Sequence, residues 1–268
     1  MKDRNLVNDR ELIISNLDEC WSLAINFFES LTSDHWEVQS LCSDWSIKDV
    51  ASHLFSVEQA LTDWIPAGPK VPPPFELVHG YFEEALQMDT ANLVNEFRHT
   101  LNRRRDNLVN MTDTEFSTPT MTPVGPGTYD RFMAVREFDF WMHTRDCTAP
   151  LNIATDNSGP TAEMALNEVR LSIGYIAGKK IGLTKNQTIH FHIYGAIESD
   201  IFVAFEDRAV EVPHIENPTV VLNCDSMAFM NQACGRVDPE VPIGQGLIYW
   251  TGDDTLGNHS ARNLKFTM

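Results

Sequence analysis

The apolar periodicity of this chain changes once, and that change divides it into two differently folded parts. Through the first half, apolar residues recur every three or four positions, the spacing of one helical face. From QTIHFHIYG onward they alternate with polar residues, the spacing of a half-buried strand. The composition shifts at APLNIATDNSGP, residues 149–160, and a domain boundary is expected there, giving domains 1–152 and 153–268. The fold class expected is α followed by α+β: a helix bundle, then a smaller mixed domain.

Within the first part, Asp9–Leu31 carries one broad apolar stripe through Leu17, Cys20, Trp21, Ala24 and Phe28. A second helix starts at Ser46, where Ser46 and Asp49 fit a capping box and Trp45 and Val50 a hydrophobic staple. Its stripe is Ile47, Val50, Leu54, Val57 and Leu61, and His53 sits on the inward edge. The proline-rich IPAGPKVPPPF ends it. Helices are expected over Glu76–Met88 and Thr90–Met111, then a Pro/Gly/Thr loop, STPTMTPVGPGT. The helix over Asp130–Asp146 has a stripe through Phe132, Val135, Asp139, Met142 and His143. In the second part the pattern predicts a helix over Thr161–Lys179 and strands at QTIHFHIYG, IFVAFED, PTVVLNCD and GLIYWTG. A helix over Asp225–Cys234 and a closing amphipathic helix in DDTLGNHSARNLKFTM complete it.

Three polar residues fall where apolar ones belong: His53, Asp139 and His143. Asp139 and His143, four apart, stack on one helical face. An unpartnered carboxylate on an apolar face is costly to bury, so Asp139 needs a compensating partner. With His53 from another helix of the bundle, the three could form an N/N/O metal site that keeps a coordination position open for chemistry. Asp146 and Glu58 are candidates to orient those ligands, unless they face solvent. Arg236 follows the helix stop at Gly235, where its guanidinium could grip a substrate carboxylate as a catalytic group. The alternative there is a surface arginine stabilising a helix end. Arg103, Arg104 and Arg105 read as a solvated helix end. His190 and His192 share one strand face, with no third ligand evident beside them.

The bulk numbers narrow the function classes. With 268 residues, 43% hydrophobic and 22% charged, the chain can bury a core. A net charge of −18 repels phosphate backbones, which argues against nucleic acid as a partner. No apolar stretch approaches the roughly 20 residues that span a bilayer, so no membrane role is expected. The charged start has no apolar signal core, and the expected localisation is cytoplasmic. Five cysteines, an odd number with no C-x-x-C pair, argue against both a disulfide framework and a zinc knuckle.

Several segments resemble the mycothiol-dependent maleylpyruvate isomerase family. LCSDWSIKDVASHLFSVE is similar to a family segment in which a Trp precedes a capped helix whose core run ends in His-Leu. REFDFWMHTRD is similar to one in which an acid and a histidine four apart precede an Arg/Gln-Asp pair. CGRVDP and GDDTLGNHSARNLKFTM are similar to the family's tail. The resemblance implies a DinB-like four-helix bundle followed by a sterol-carrier-like α+β domain. It implies a divalent metal, usually zinc, on His53, Asp139 and His143, with Asp139 standing where such proteins can carry Glu. It also implies a low-molecular-weight thiol, mycothiol, as co-substrate, and a small electrophile as substrate. The expected activity is that of an S-transferase or isomerase. A metal-dependent hydrolase using bound water is the second reading. A non-catalytic binder of an apolar ligand, with a structural metal, is the third.

Overall fold

The computed structural model describes residues 10–68 and 70–266. The charged start, through residue 9, and the last two residues of the closing segment lie outside the described residues. The chain forms two compact units, the first ending at Thr155 and the second beginning at Asp156.

The N-terminal unit contains α1 (Arg10–Ser30), α2 (Ile47–Leu61), α3 (Val78–Gln87), α4 (Thr90–Asn110), the single turn α5 (Asp113–Phe116) and α6 (Tyr129–Thr148). Helix α1 packs on α4 and α6, and α2 packs on α3, α4 and α6. The start of α2 is set by the expected capping box: Asp49 N–H donates to Ser46 Oγ at 3.2 Å, and Ser46 N–H donates to Asp49 Oδ2 at 2.7 Å. Its predicted stripe, Ile47, Val50, Leu54, Val57 and Leu61, is buried throughout. An aromatic cluster of Trp21, Phe28, Phe55, Phe97 and Phe140 ties α1, α2, α4 and α6 together.

Two local expectations give way to tertiary structure. The segment STPTMTPVGPGT is a hairpin, β1 (Pro119–Thr122) paired antiparallel with β2 (Gly125–Thr128), that packs on α6. Helix α6 is buried almost all round rather than along one stripe, because α1, α2 and the hairpin surround it. A helix covered on every side need not be amphipathic.

The arginine run at the end of α4 is also not a uniform solvated end. Arg103 and Arg105 pair at the surface with Asp63 and Asp18. Arg104, between them, is fully buried. Its Nε donates to Glu58 Oε2 at 2.8 Å and its Nη1 to the Tyr129 hydroxyl at 3.1 Å. The other Glu58 oxygen, Oε1, accepts from Arg136 Nε at 2.8 Å. A buried carboxylate thus sits between two buried guanidiniums from α4 and α6. Burial pushes Glu58 up, but Arg136 and Arg104 hold it below the usual carboxylate range.

The C-terminal unit opens with α7 (Gly159–Leu171), then α8 (Ile173–Tyr175) and a π-helical turn over Ile176–Lys180. The single predicted helix is broken near Gly174, where an added Cβ would lie 2.9 Å from the Ala209 carbonyl oxygen. That close approach admits only glycine. The sheet has strand order β5 (Ala209–Val212), β4 (Ser199–Phe205), β3 (Thr188–Tyr194), β6 (Val220–Asp225) and β7 (Ile248–Gly252). β3 and β6 are parallel and the other pairs antiparallel, so the sheet is mixed. Helix α9 (Ser226–Ala233) follows β6, the short α10 (Glu240–Gly244) comes next, and α11 (Asp254–Arg262) follows β7. β5 and α10 were not evident in the sequence pattern. Helices α9 and α11 pack on β3, β6 and β7. Ile189, Phe191, Ile193, Leu222 and Cys224 fill the buried face. All five cysteines are buried, and none is in a disulfide, as their odd number and spacing led one to expect.

Two buried acids make opposite predictions. Glu58→Ala should cost about 3–5 kcal/mol in denaturant unfolding, because it leaves Arg104 buried without a counter-charge and Arg136 with Asp139 alone. Arg103→Ala, which removes an exposed pair, should cost under about 1 kcal/mol; equal costs would refute this account of the core. Glu137 faces α1, where Asn16 donates to its Oε1 at 3.0 Å. Burial raises it to about 9 against that hydrogen bond, so it is protonated at neutral pH. The folded chain then keeps a proton that the unfolded chain releases above its ordinary 4.5. This contribution to stability is fully present below 4.5 and is lost as pH rises toward 9. Glu137→Gln should flatten the stability–pH curve over that window, as read from unfolding midpoints.

Candidate metal centre

Helices α2 and α6 bring His53, Asp139 and His143 together. His53 Nε2 lies 3.4 Å from Asp139 Oδ2, and His143 Nε2 lies 3.4 Å from Asp139 Oδ1. The three donor atoms all fall within 4.8 Å of one another. At 3.4 Å these are poor hydrogen bonds. They match the spacing of about 3.3 Å between ligands that share a tetrahedral cation at about 2.0–2.1 Å. The donor set, two imidazoles and a carboxylate, fits zinc or a similar divalent ion. The His53 and Asp139 side chains keep 25% and 24% of their surface exposed, against 10% for His143. A small molecule can therefore approach from the His53–Asp139 side.

The supports on the α6 side are buried. Arg136, one turn before Asp139, donates from Nη1 to Asp139 Oδ2 at 2.5 Å while its Nε holds Glu58. Asp139 thus has the compensating partner that its place on an inward face requires. Burial pushes its carboxyl up, but Arg136 and then His143 hold it well below the usual range. Burial lowers His53 against the pull of Asp139, which favours the neutral imidazole a metal needs. His143 is opposite: burial would lower it, but Asp139, then Asp146 and Cys42, raise it well above its ordinary value. Its Nδ1 lies 3.0 Å from Asp146 Oδ2, so Nδ1–H donation fixes the ring and leaves Nε2 toward Asp139.

A second donor group shares His143. Cys42, His143 and Asp146 are all buried and form a Cys/His/Asp group that could also hold a metal. The Cys42 thiol donates to Asp146 Oδ2 at 3.1 Å and lies 3.5 Å from His143 Nδ1. Those separations suit hydrogen bonds, with Asp146 accepting from both partners.

Three contributors were missed by sequence reasoning. Trp45, expected as a staple, turns its ring to His53 (centroids 5.1 Å), Phe82 (6.1 Å) and His143 (6.2 Å), forming an apolar wall. Cys42 lay in a segment read as loop and carried no signal. Arg136 did carry one, since Arg136, Asp139 and His143 fall at i, i+3 and i+7. Of the residues proposed to orient ligands, Asp146 touches His143 directly, and Glu58 acts through Arg136. Arg236 belongs to the other unit, just beyond Gly235, whose φ of +70° closes α9. Its Nη1 donates to the Cys234 carbonyl at 2.9 Å.

Comparison with known proteins follows the same division. Residues 17–148 match the family model described as the mycothiol maleylpyruvate isomerase N-terminal domain. No curated protein matches the sequence. Two solved structures resemble nearly the whole chain. One is a histidine-to-alanine mutant of the mycothiol-dependent maleylpyruvate isomerase: 15% identical, TM-score 0.59, covering 91% of this chain and 93% of that one. The other is the mycothiol-dependent maleylpyruvate isomerase itself: 16% identical, TM-score 0.57, covering 85% and 90%. Likeness at that identity shows a shared fold. The helical unit followed by a mixed five-stranded sheet is the fold of these two structures, and residues 17–148 are a mycothiol maleylpyruvate isomerase N-terminal domain.

Proposed function

We propose that this protein is a divalent-metal-dependent enzyme, an S-transferase or maleylpyruvate-isomerase-like catalyst, that joins a low-molecular-weight thiol to a small electrophile. The observation carrying this reading is the convergence of His53, Asp139 and His143 at ligand spacing, with an exposed side and a buried, ion-paired support. Zinc is the cation this set suits best, and mycothiol is the thiol that the family points to. When bound, the cation supplies the positive charge that favours thiolate over thiol at neutral pH.

The chain's own residues do the rest. Asp146 holds the His143 ring by Nδ1 and keeps Nε2 turned to the site. Arg136 fixes the Asp139 carboxylate through Oδ2 and prevents it from swinging out. Trp45, backed by Phe82, walls the histidines and limits water beside the nucleophile. The thiolate adds to a carbon of a conjugated double bond, and the π electron pair moves onto the conjugated carbonyl oxygen. In an isomerisation the bond, now single, rotates and the returning pair expels the thiolate; in a transfer the proton given up by the thiol completes the adduct at carbon and the sulfur stays attached. Within the second unit, Arg236 is proposed as a carboxylate-binding group, since a guanidinium can bind a carboxylate through two hydrogen bonds. Five buried cysteines outside any disulfide suit a reducing, cytoplasmic setting.

Metal analysis beside a thiol-conjugation assay tests the assignment. His53→Ala and His143→Ala should each lose one zinc equivalent relative to wild type, together with thiol-dependent turnover. Asp146→Asn should bind zinc about 10–100-fold more weakly while remaining folded. Turnover of an electrophile that proceeds equally well without thiol would replace this reading with a hydrolase. Full zinc retention by His143→Ala would remove that residue from the centre.

A further inference from the structure

We propose a second transition-metal site in the C-terminal unit, formed by His190, His192 and Asp200 on the sheet face opposite the buried one. Strand alternation puts His190 and His192 on one face of β3, away from Ile189, Phe191 and Ile193. The antiparallel register with β4 supplies the third ligand, because Asp200 lies directly opposite His192 and diagonal to His190. Asp200 was invisible beside the histidines in sequence, since it comes from the neighbouring strand.

The donor atoms converge. His190 Nε2 lies 2.7 Å and His192 Nδ1 2.9 Å from the same oxygen, Asp200 Oδ1. All three side chains offer ligand atoms within 4.8 Å of one another. The His190 ring stacks on Phe202, with centroids 4.2 Å apart and planes 16° apart, which holds its orientation. Asp200 is 55% exposed and His192 45%, so a hydrated cation reaches the site from solvent. The present distances are those of hydrogen bonds. A shared cation needs the donors to open by a few tenths of an ångström, to about 3.3 Å. An exposed aspartate can give that movement. Two imidazoles and one carboxylate select Zn²⁺, Cu²⁺ or Ni²⁺ over Mg²⁺ or Ca²⁺, which prefer all-oxygen shells. The remaining positions are open to water or a small ligand. The site shares no residue with the centre in the helical unit and does not depend on it.

The test counts zinc per chain by equilibrium dialysis against Zn²⁺. His190→Ala/His192→Ala should bind one equivalent fewer than wild type, and Asp200→Asn, a milder change, should weaken the same equivalent. His214→Ala, which removes another ring that contacts Phe202 (centroids 5.0 Å), should leave the count unchanged. The equivalent should persist in His53→Ala/His143→Ala. Titration of His53→Ala/His143→Ala with Cu²⁺ should selectively broaden the ring-proton NMR signals of His190 and His192. Equal zinc counts in wild type and the His190/His192 double variant, or Cu²⁺ broadening that spares both rings, would overturn the site.

Discussion

Arg136 is the residue on which the helical unit's interior turns. Its guanidinium touches two carboxylates at once, Glu58 on α2 and Asp139 on its own helix. An inward-facing aspartate beside two imidazoles is unstable as a bare charge in an apolar setting. Arg136 beside it cancels that charge, but the same guanidinium also holds Glu58, which adds a second negative charge. Arg104 supplies the second positive charge, so two guanidiniums stand against two acids. The planar, forked guanidinium allows this chaining, because each can serve two partners with fixed geometry. The aromatic core and the ion chain therefore specify the same helix arrangement.

Much of this was legible in the residues. The period change announced two architectures. Ser46 and Asp49 announced the start of α2, and the D-x-x-x-H spacing placed Asp139 and His143 on one face. The ion chain also left a trace. Glu58 falls in line with Leu54 and Leu61, and Arg104 falls between Leu101 and Leu108 at helical spacing. Opposite charges embedded in two apolar stripes are the mark of a buried pair, because neither would persist there alone. Reading the three arginines of α4 as one solvated run hid the middle one.

What the pattern could not reveal has a common cause. Trp45, Cys42 and Asp200 act through neighbours distant in sequence or across a strand pair. Periodicity describes one element at a time and is blind to such meetings. Helix α6 was read correctly as a helix, but its single inward stripe was too narrow for a related reason: in a helix covered on all sides, polar residues are buried along with apolar ones. Gly174 shows the same limit in the second unit, where the close approach of Ala209 reshapes a segment whose local pattern is simply helical.

The charge balance of the buried set bears on which ligand the centre favours. Arg104 and Arg136 stand against Glu58, Asp139 and Asp146, with His143 able to carry a proton between two of those acids. With that proton the set is neutral. A divalent cation that displaces the proton from Nε2 leaves the set with one net positive charge. In a site walled by Trp45, backed by Phe82, an excess charge is not cheaply screened. A neutral ligand in the open position would leave it uncompensated, whereas an anionic sulfur would cancel it. The same arithmetic holds for hydroxide, so the charge alone does not choose between them. The apolar wall adds weight to the thiolate of the proposed function, because a large, weakly hydrated anion loses less on leaving water than a small, strongly hydrated one.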